Sequence, residues 1–310
     1  KRQAECGYFM RFSIYQDSQV GGRSSNQDRM GYSFTREAVL LMLADGMGGH
    51  SHGEIAAVLA LQAMGELFKK AAQPSIAEPE AFLEELVFTA HLALHRYRAE
   101  HRLADTPRAA IVVCLIQQGQ AQWIHCGDSR LYWLRGGRIL ARTIDHSHVE
   151  RLISIGRLPP YESARHPDRN KLYNCLGAPT LPGIDRSGAV PLRAGDQLLL
   201  CSDGLWNSIP EHQLAYRLSV SPLEQAVPEM VSSAVIAGGK SGDNVTVLAF
   251  TWLDSGDSGA HASDSALLTD GMPHDRVITS IQSASPGATG SGSDGALAEI
   301  ERALARMRLD

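Results

Sequence analysis

Asp45, Asp203 and Asp243 each stand at the end of a short apolar run. Residues 38–44 (AVLLMLA) lead into Asp45-Gly46, residues 197–202 (QLLLCS) lead into Asp203-Gly204, and Asp243 opens the run 244–250 (NVTVLAF). Short apolar runs bounded by turn residues read as interior strands. Carboxylates gathered at strand ends repel one another and are costly to desolvate unless something positive holds them. Hard divalent cations take oxygen ligands, so this set points to Mg2+ or Mn2+ and to metal-assisted chemistry on phosphate.

Further segments carry residues of the same kind. In Asp45-Gly46-Met47-Gly48-Gly49-His50, the first glycine lets the chain turn sharply and offers the Gly46 carbonyl as a ligand. A solvated aspartate in a glycine-rich turn explains that segment alone about as well. Arg23-Ser24-Ser25-Asn26-Gln27-Asp28 follows the first strand. Arg23 is a fork donor suited to phosphate, and Asp28 is suited to holding a metal-bound water. Taken singly, a surface arginine and a turn asparagine are the commoner outcome. Cys126-Gly127-Asp128-Ser129-Arg130 lies between two strands, where Asp128 is either a turn residue or a further metal carboxylate. Gly-x-Ser-x-Gly is absent, so no nucleophile of that type is offered.

The elements that position these residues are legible from periodicity. Residues 11–45 read as strands, with Phe12, Ile14, Tyr32 and Phe34 alternating with polar residues. Apolar residues recur at helical spacing over 54–70 and 79–102. Strands are predicted at 109–117, 120–126 and 131–135, with Gln118-Gly119 and Gly136-Gly137 as turns. A short helix is expected over 147–155, then a long irregular excursion over 156–182, a length that usually serves function. Strand-like 184–190 and 197–202, helical 211–218 and 222–237, and a closing strand to Trp252 complete the domain. Strands, two helices, more strands, then helices and a last strand argue for an α+β layered domain.

Four segments follow: 1–9 as upstream or vector-derived sequence before Met10, 10–253 as the catalytic domain, 254–295 as a disordered Ser/Gly/Asp-rich linker, and 296–310 as a short C-terminal helix. The linker has few core-forming residues, so its removal is expected to leave the domain unaffected. Of 310 residues, 44% are hydrophobic and 20% charged, which is ordinary globular composition. A net charge of −5 supplies no basic field for nucleic acid or anionic membrane. Five scattered cysteines without CxxC spacing fit a reducing cytoplasm better than a disulfide framework. No run reaches the roughly 20 apolar residues of a membrane helix.

The set Arg23…Asn26-Gln27-Asp28, Asp45-Gly46-Met47-Gly48-Gly49-His50, Gly127-Asp128-Ser129-Arg130, Asp145-His146-Ser147, Ser202-Asp203-Gly204-Leu205-Trp206 and Asp243-Asn244-Val245-Thr246 resembles the ordered motifs of the metal-dependent protein phosphatase family, the protein phosphatase 2C type. It is most similar to the compact bacterial members. Each motif is weak singly; together, in this order, they are specific. The resemblance spans 11–252 and implies a four-layer α-β-β-α sandwich, two antiparallel sheets flanked by helices with a two-metal site at one end. It further implies that Asp45 bridges two Mn2+ or Mg2+ ions, that the Gly46 carbonyl binds one, and that Asp203 and Asp243 bind the other. Asp128, with Asp203, would hold a third, weaker ion. Arg23 would grip the substrate phosphate, and Asp28 would orient the bridging water. The excursion at 156–182 matches the family's variable flap.

Departures from the family pattern are Gln27 in place of a common Glu, Met47 where many eukaryotic members carry His, and Asp105-Thr106-Pro107-Arg108-Ala109-Ala110 in place of a Gly-Thr-Thr-type segment. None removes a direct metal ligand. The implied reaction is in-line attack of a bimetal-bridging hydroxide on phosphoserine or phosphothreonine of a phosphoprotein, with a cognate Ser/Thr kinase supplying the substrate and the enzyme acting as a cytoplasmic monomer. The alternatives are a catalytically weak relative that binds phosphoproteins and a phosphatase for small metabolites. Other motifs carry less. Ala237-Gly238-Gly239-Lys240-Ser241 lacks the first glycine of a phosphate-binding loop, since Ala234 stands there. His50-Ser51-His52 and His146-Ser147-His148 have no third ligand spaced for zinc. Asn244-Val245-Thr246 is a glycosylation acceptor in form only, on a cytosolic strand.

Overall fold

The structure is a computed structural model that describes residues 10–47, 52–253, 266–268, 272–273 and 276–282. The expectations for 1–9, for Gly48-Gly49-His50 and for the helix at 296–310 fall outside these residues. Three strands open the chain: β1 (Arg11–Gln19), β2 (Asp28–Phe34) and β3 (Ala38–Gly46). Helices α1 (Gly53–Ala71) and α2 (Pro79–Glu100) follow. Next come β4 (Ala109–Gln117), β5 (Gln120–Cys126), β6 (Arg130–Arg135), β7 (Arg138–Arg142) and helix α3 (His148–Ser154). The second half holds β8 (Asp185–Arg186), β9 (Val190–Pro191), β10 (Gln197–Cys201), α4 (Asp203–Trp206), α5 (Glu211–Val220), α6 (Leu223–Gly238) and β11 (Val245–Leu253). Two short strands, β12 (Ala266–Leu268) and β13 (Ile278–Ile281), come last.

The strands form two antiparallel sheets, in the orders β12-β1-β11-β10-β6-β7 and β13-β2-β3-β4-β5-β8, with β9 also on β5. Alternation along β3 shows why the layers stack as they do. Val39, Leu41 and Leu43 face the other sheet, with Phe12, Leu198, Leu200 and Phe250. Leu40, Met42 and Ala44 face α1 and α2. A strand covered on both sides has no polar face, so 38–44 reads as an unbroken apolar run rather than an alternating one. The outer face of the other sheet is closed by α4, α5 and α6 through Leu199, Cys201, Leu214, Val227 and Val231. The layers are therefore α-β-β-α, as the resemblance implies.

Local chemistry sets the turns. Gln118-Gly119 and Gly136-Gly137 all adopt positive φ, the backbone of two-residue hairpin turns whose twist matches the strands. The second hairpin adds β7, which was not expected. The run 184–190 is not one strand: it splits into β8 and β9, and Pro191 has no N–H to continue a ladder. Ser147 caps α3 by accepting from the Glu150 amide at 3.1 Å.

The linker reading needs correction at two stretches. Strand β12 pairs with β1, and β13 pairs with β2, so each lies on an open sheet edge. The strands are three and four residues long inside a Ser/Gly/Asp-rich stretch, so the composition of the surrounding segment hid both. The body fits β13 closely. A Cβ at Gly31 would meet the Ser280 carbonyl oxygen at 2.7 Å. The hydroxyls of Ser33 and Thr279 are 3.0 Å apart. Among the described residues, no helix is long and apolar enough to cross a membrane.

Candidate metal and phosphate site

The predicted carboxylates arrive at one end of the sandwich from different elements. Asp28 opens β2 and stands directly opposite Asp45 near the end of β3. Asp128 lies in the turn from β5 to β6, Asp203 opens α4 after β10, and Asp243 immediately precedes Asn244 and β11. Tight backbone approach makes the convergence possible. A Cβ at Gly46 would run into the Gly53 carbonyl, one at Gly204 into the Asn244 carbonyl, and one at Gly127 into Ala110. Ala110 is the register partner of Asp45, so the small residues of the departing 105–110 segment leave room for the Asp128 turn.

The electrostatics follow from burying like charges together. Burial, then the charges of Asp28, Asp203, Asp128 and Asp243, hold Asp45 well above the usual carboxylate range. Burial, then Asp128 and Asp243, do the same for Asp203. Burial raises Asp28 to about 6, against the hydroxyls of Ser202 and Thr246, which favour its ionised form. Asp128 is raised to about 7, by burial and then by Asp145. The Oδ2 atom of Asp28 is buried and has no hydrogen-bond partner among the described residues. Such a set is a sink for protons or for cations. Arg23 stands at the rim and donates through Nη2 to Oδ2 of Asp243 at 2.6 Å.

The sequence named the carboxylates but not the residues that fix them. Asn244 is 4% exposed and staples the Arg23 loop: its Oδ1 accepts from the Gln27 amide at 2.8 Å, and its Nδ2 donates to the carbonyls of Val20 and Ser25. Asn26 donates to Ser18 Oγ at 2.8 Å and accepts from the Asp28 amide at 3.1 Å. Arg130 grips both oxygens of Asp145 at 2.8 Å and stacks 3.7 Å from the centroid of Trp206, whose indole N–H donates to the Asp128 carbonyl at 3.0 Å. The signal was adjacency: each of these sits within a motif, beside or near a carboxylate.

One side-chain cluster lies apart. Ligand atoms of His125, His146 and Asp185 come within 4.8 Å of one another, so His146 meets His125 rather than the His148 of its own motif. Hydrogen bonds argue against a cation there. His146 Nδ1 faces two donors, the Gly127 amide at 3.3 Å and Asn174 Nδ2 at 2.6 Å. Asn174 is oriented by Gly183, which takes its N–H and gives its own to Oδ1. The proton of His146 therefore sits on Nε2, 3.4 Å from the Asp185 carboxylate, where a metal would have to displace it. This hydrogen-bonded network ties the segment that carries Asn174 to β5.

Comparison with known proteins agrees with this fold. A family model described as Protein phosphatase 2C matches residues 16–234. The chain is 30% identical over 229 residues to serine/threonine phosphatase stp of Listeria monocytogenes serotype 4b, spanning 73% of this chain and 90% of that protein. The structure is similar to serine/threonine phosphatase Stp1 from Staphylococcus aureus (TM-score 0.71, 26% identity, 81% of this chain and 98% of that one). It is also similar to the catalytic domain of serine threonine protein phosphatase PstP in complex with 2 manganese ions (TM-score 0.67, 27% identity, 79% of this chain and 100% of that one). The chain belongs to the protein phosphatase 2C family.

Proposed function

We propose that the chain is a metal-dependent phosphoserine/phosphothreonine protein phosphatase, acting as a monomer on the phosphoproteins of a cognate Ser/Thr kinase. The observation that carries this reading is the convergence of Asp28, Asp45, Asp128, Asp203 and Asp243 on one end of the sandwich, with Arg23 as the cation at its rim. The donor set fits hard divalent ions: it is all oxygen, internally repulsive, and leaves a buried Asp28 oxygen without a donor. Asp45, the Gly46 carbonyl, Asp203 and Asp243 would hold two ions of Mn2+ or Mg2+, and Asp128 with Asp203 a third, weaker one. When bound, such ions acidify a water and neutralise the phosphoryl oxygens.

The chain's own residues do the rest. Asp28 is 1% exposed and its amide is fixed by Asn26; its carboxylate would orient the attacking water. Arg23 is 52% exposed and can turn its fork from Asp243 to two phosphoryl oxygens. Cys114, Cys126, Cys175 and Cys201 are buried free thiols, which supports a reducing, cytoplasmic setting. The test is hydrolysis of an aryl phosphate and of phosphothreonine peptides, with and without chelator. Turnover should vanish on chelation and return with Mn2+ or Mg2+. Full activity in excess chelator would sink this reading.

A further inference from the structure

Gln27 stands next to Asp28 in the loop that carries Arg23. Its backbone is clamped on both sides: its N–H donates to Asn244 Oδ1 at 2.8 Å, and its carbonyl accepts from the Gly46 amide at 3.2 Å. From this clamp the side chain donates through Nε2 to Oε2 of Glu54 at 3.1 Å. Glu54 is the second residue of α1, and the start of that helix rests on the site. A Cβ at Gly53 would meet the Gly46 carbonyl oxygen at 3.0 Å and Gln27 Cδ at 3.1 Å. The Glu54 carboxylate therefore hangs from the turn that packs on Gly46, and Gln27 holds it there. Its charge also reaches the buried Arg29 guanidinium, which donates to the carbonyls of Asn26 and Asp28 in the same loop.

A glutamate in the first turn of a helix has an ordinary use, offsetting the positive end of the helix dipole. That use needs no amide partner, and it does not explain why the site loop aims a donor at this carboxylate. We propose that Glu54 is a positioning residue for the metal centre: held by Gln27 against the Gly46 turn, it supplies an outer negative charge on that side of the site. An amide whose N–H is bonded to a carboxylate presents a more negative carbonyl oxygen, so Gln27 Oε1 would be a stronger acceptor for water around an ion held by the Gly46 carbonyl.

The inference rests on the metal reading above, and its test keeps the two apart. Chelator-stripped protein is titrated with Mn2+ in a calorimeter, and its melting temperature is measured in chelator. If the wild type takes up no Mn2+, the metal reading itself fails. If it does, Glu54→Gln should weaken the tighter site by about ten-fold or more, the size of effect expected from an outer-shell partner. Its melting temperature in chelator should move little. The exchanged pair Gln27→Glu/Glu54→Gln puts the charge back on the same contact and should recover most of the affinity. Unchanged Mn2+ affinity in Glu54→Gln overturns the proposal. So does a loss that the exchanged pair fails to recover, because the glutamate would then matter only to the helix start.

Discussion

Arg23 and Asp243 form an ion pair in which Nη2 lies 2.6 Å from Oδ2. The sequence assigns these residues separate tasks, phosphate recognition and metal binding. In this pairing Arg23 would compete with a bound cation for the Asp243 carboxylate. Both side chains are substantially exposed, so the pair is worth no more than about 1 kcal/mol. Arg23→Gln should therefore raise Mn2+ affinity, but by no more than about five-fold. The same change removes the fork for the phosphoryl group, so KM for a phosphothreonine peptide should rise and kcat/KM fall. Arg23→Lys should recover only part of that loss, because a point charge does not reproduce bidentate geometry. Steady-state kinetics beside an Mn2+ titration checks both halves. A mutant with wild-type KM and weakened metal binding would remove Arg23 from phosphate recognition.

The buried carboxylates make a pH prediction with a definite sign. Asp28 is raised to about 6 and Asp128 to about 7, while Asp45 and Asp203 stand well above the ordinary 3.8. In the unfolded chain all four titrate near 3.9. The folded protein binds these protons more tightly, so their contribution is full below about pH 4; that of Asp28 and Asp128 is lost as pH rises through about 6 to 7, and that of Asp45 and Asp203 as pH rises through their own raised pKa values. In chelator the melting temperature should fall between pH 5 and pH 8. Mn2+ displaces the protons, so its stabilising effect should be larger at pH 8. Melting that ignores pH in chelator would contradict this account.

Removing one of the repelling charges separates stability from activity. Asp45→Asn keeps the shape but drops a central charge and a predicted ligand. In chelator at pH 8 it should melt above the wild type, because repulsion is relieved. Its turnover should fall by orders of magnitude at any Mn2+ concentration. Near-normal turnover would place the catalytic centre elsewhere.

Trp206 joins the Asp128 turn to the Arg130–Asp145 pair. Its indole N–H fixes the Asp128 turn, and its ring carries the Arg130 guanidinium next to α4, the helix that begins with Asp203. Trp206→Phe keeps a ring beneath Arg130 and loses the hydrogen bond. A loss of about 1 kcal/mol is expected, or roughly 2–4 °C in melting temperature. Arg130→Ala should cost more, about 3–5 kcal/mol, because it strands Asp145, whose side chain is only 5% exposed. Thermal melts rank the two variants. Equal losses would show that the Asp145 charge finds another partner.

What the sequence made legible depends on how the information is carried. Asp45, Asp203 and Asp243 could be read because each bounds an apolar run, and burial on both faces makes such runs conspicuous. The helices over 54–70 and 79–102 were readable from a long periodic pattern. The Asn244 staple and the Gln27–Glu54 contact were not, because they join residues 217 and 27 positions apart. Strand β7 was missed because it is a five-residue edge strand whose residues are at best partly buried. Strands β12 and β13 were missed because they are three and four residues long inside a Ser/Gly/Asp-rich stretch.

Those last two strands reverse the expectation for the tail. The segment after Leu253 places β12 along β1 and β13 along β2, and Val277 and Ile281 pack toward α1 while Ile278 packs toward the inter-sheet core. Partial burial of three aliphatic side chains is worth roughly 3 kcal/mol. At about 2–4 °C per kcal/mol, a chain ending at Leu253 should melt roughly 6–12 °C below the full chain. It should also aggregate more readily, because the edges of β1 and β2 are then bare. A chain ending at Gln282 keeps both strands, including the bond from its amide to the Met30 carbonyl at 3.0 Å, and should melt with the full chain. Catalysis at low temperature should survive in both, since β13 reaches along β2 only as far as Gly31 and leaves Asp28 outside the pairing. Melting curves and turnover of the three chains decide the matter. If the chain ending at Leu253 melted with the full one, β12 and β13 would contribute nothing to the fold, and the edges they cover would be stable without them.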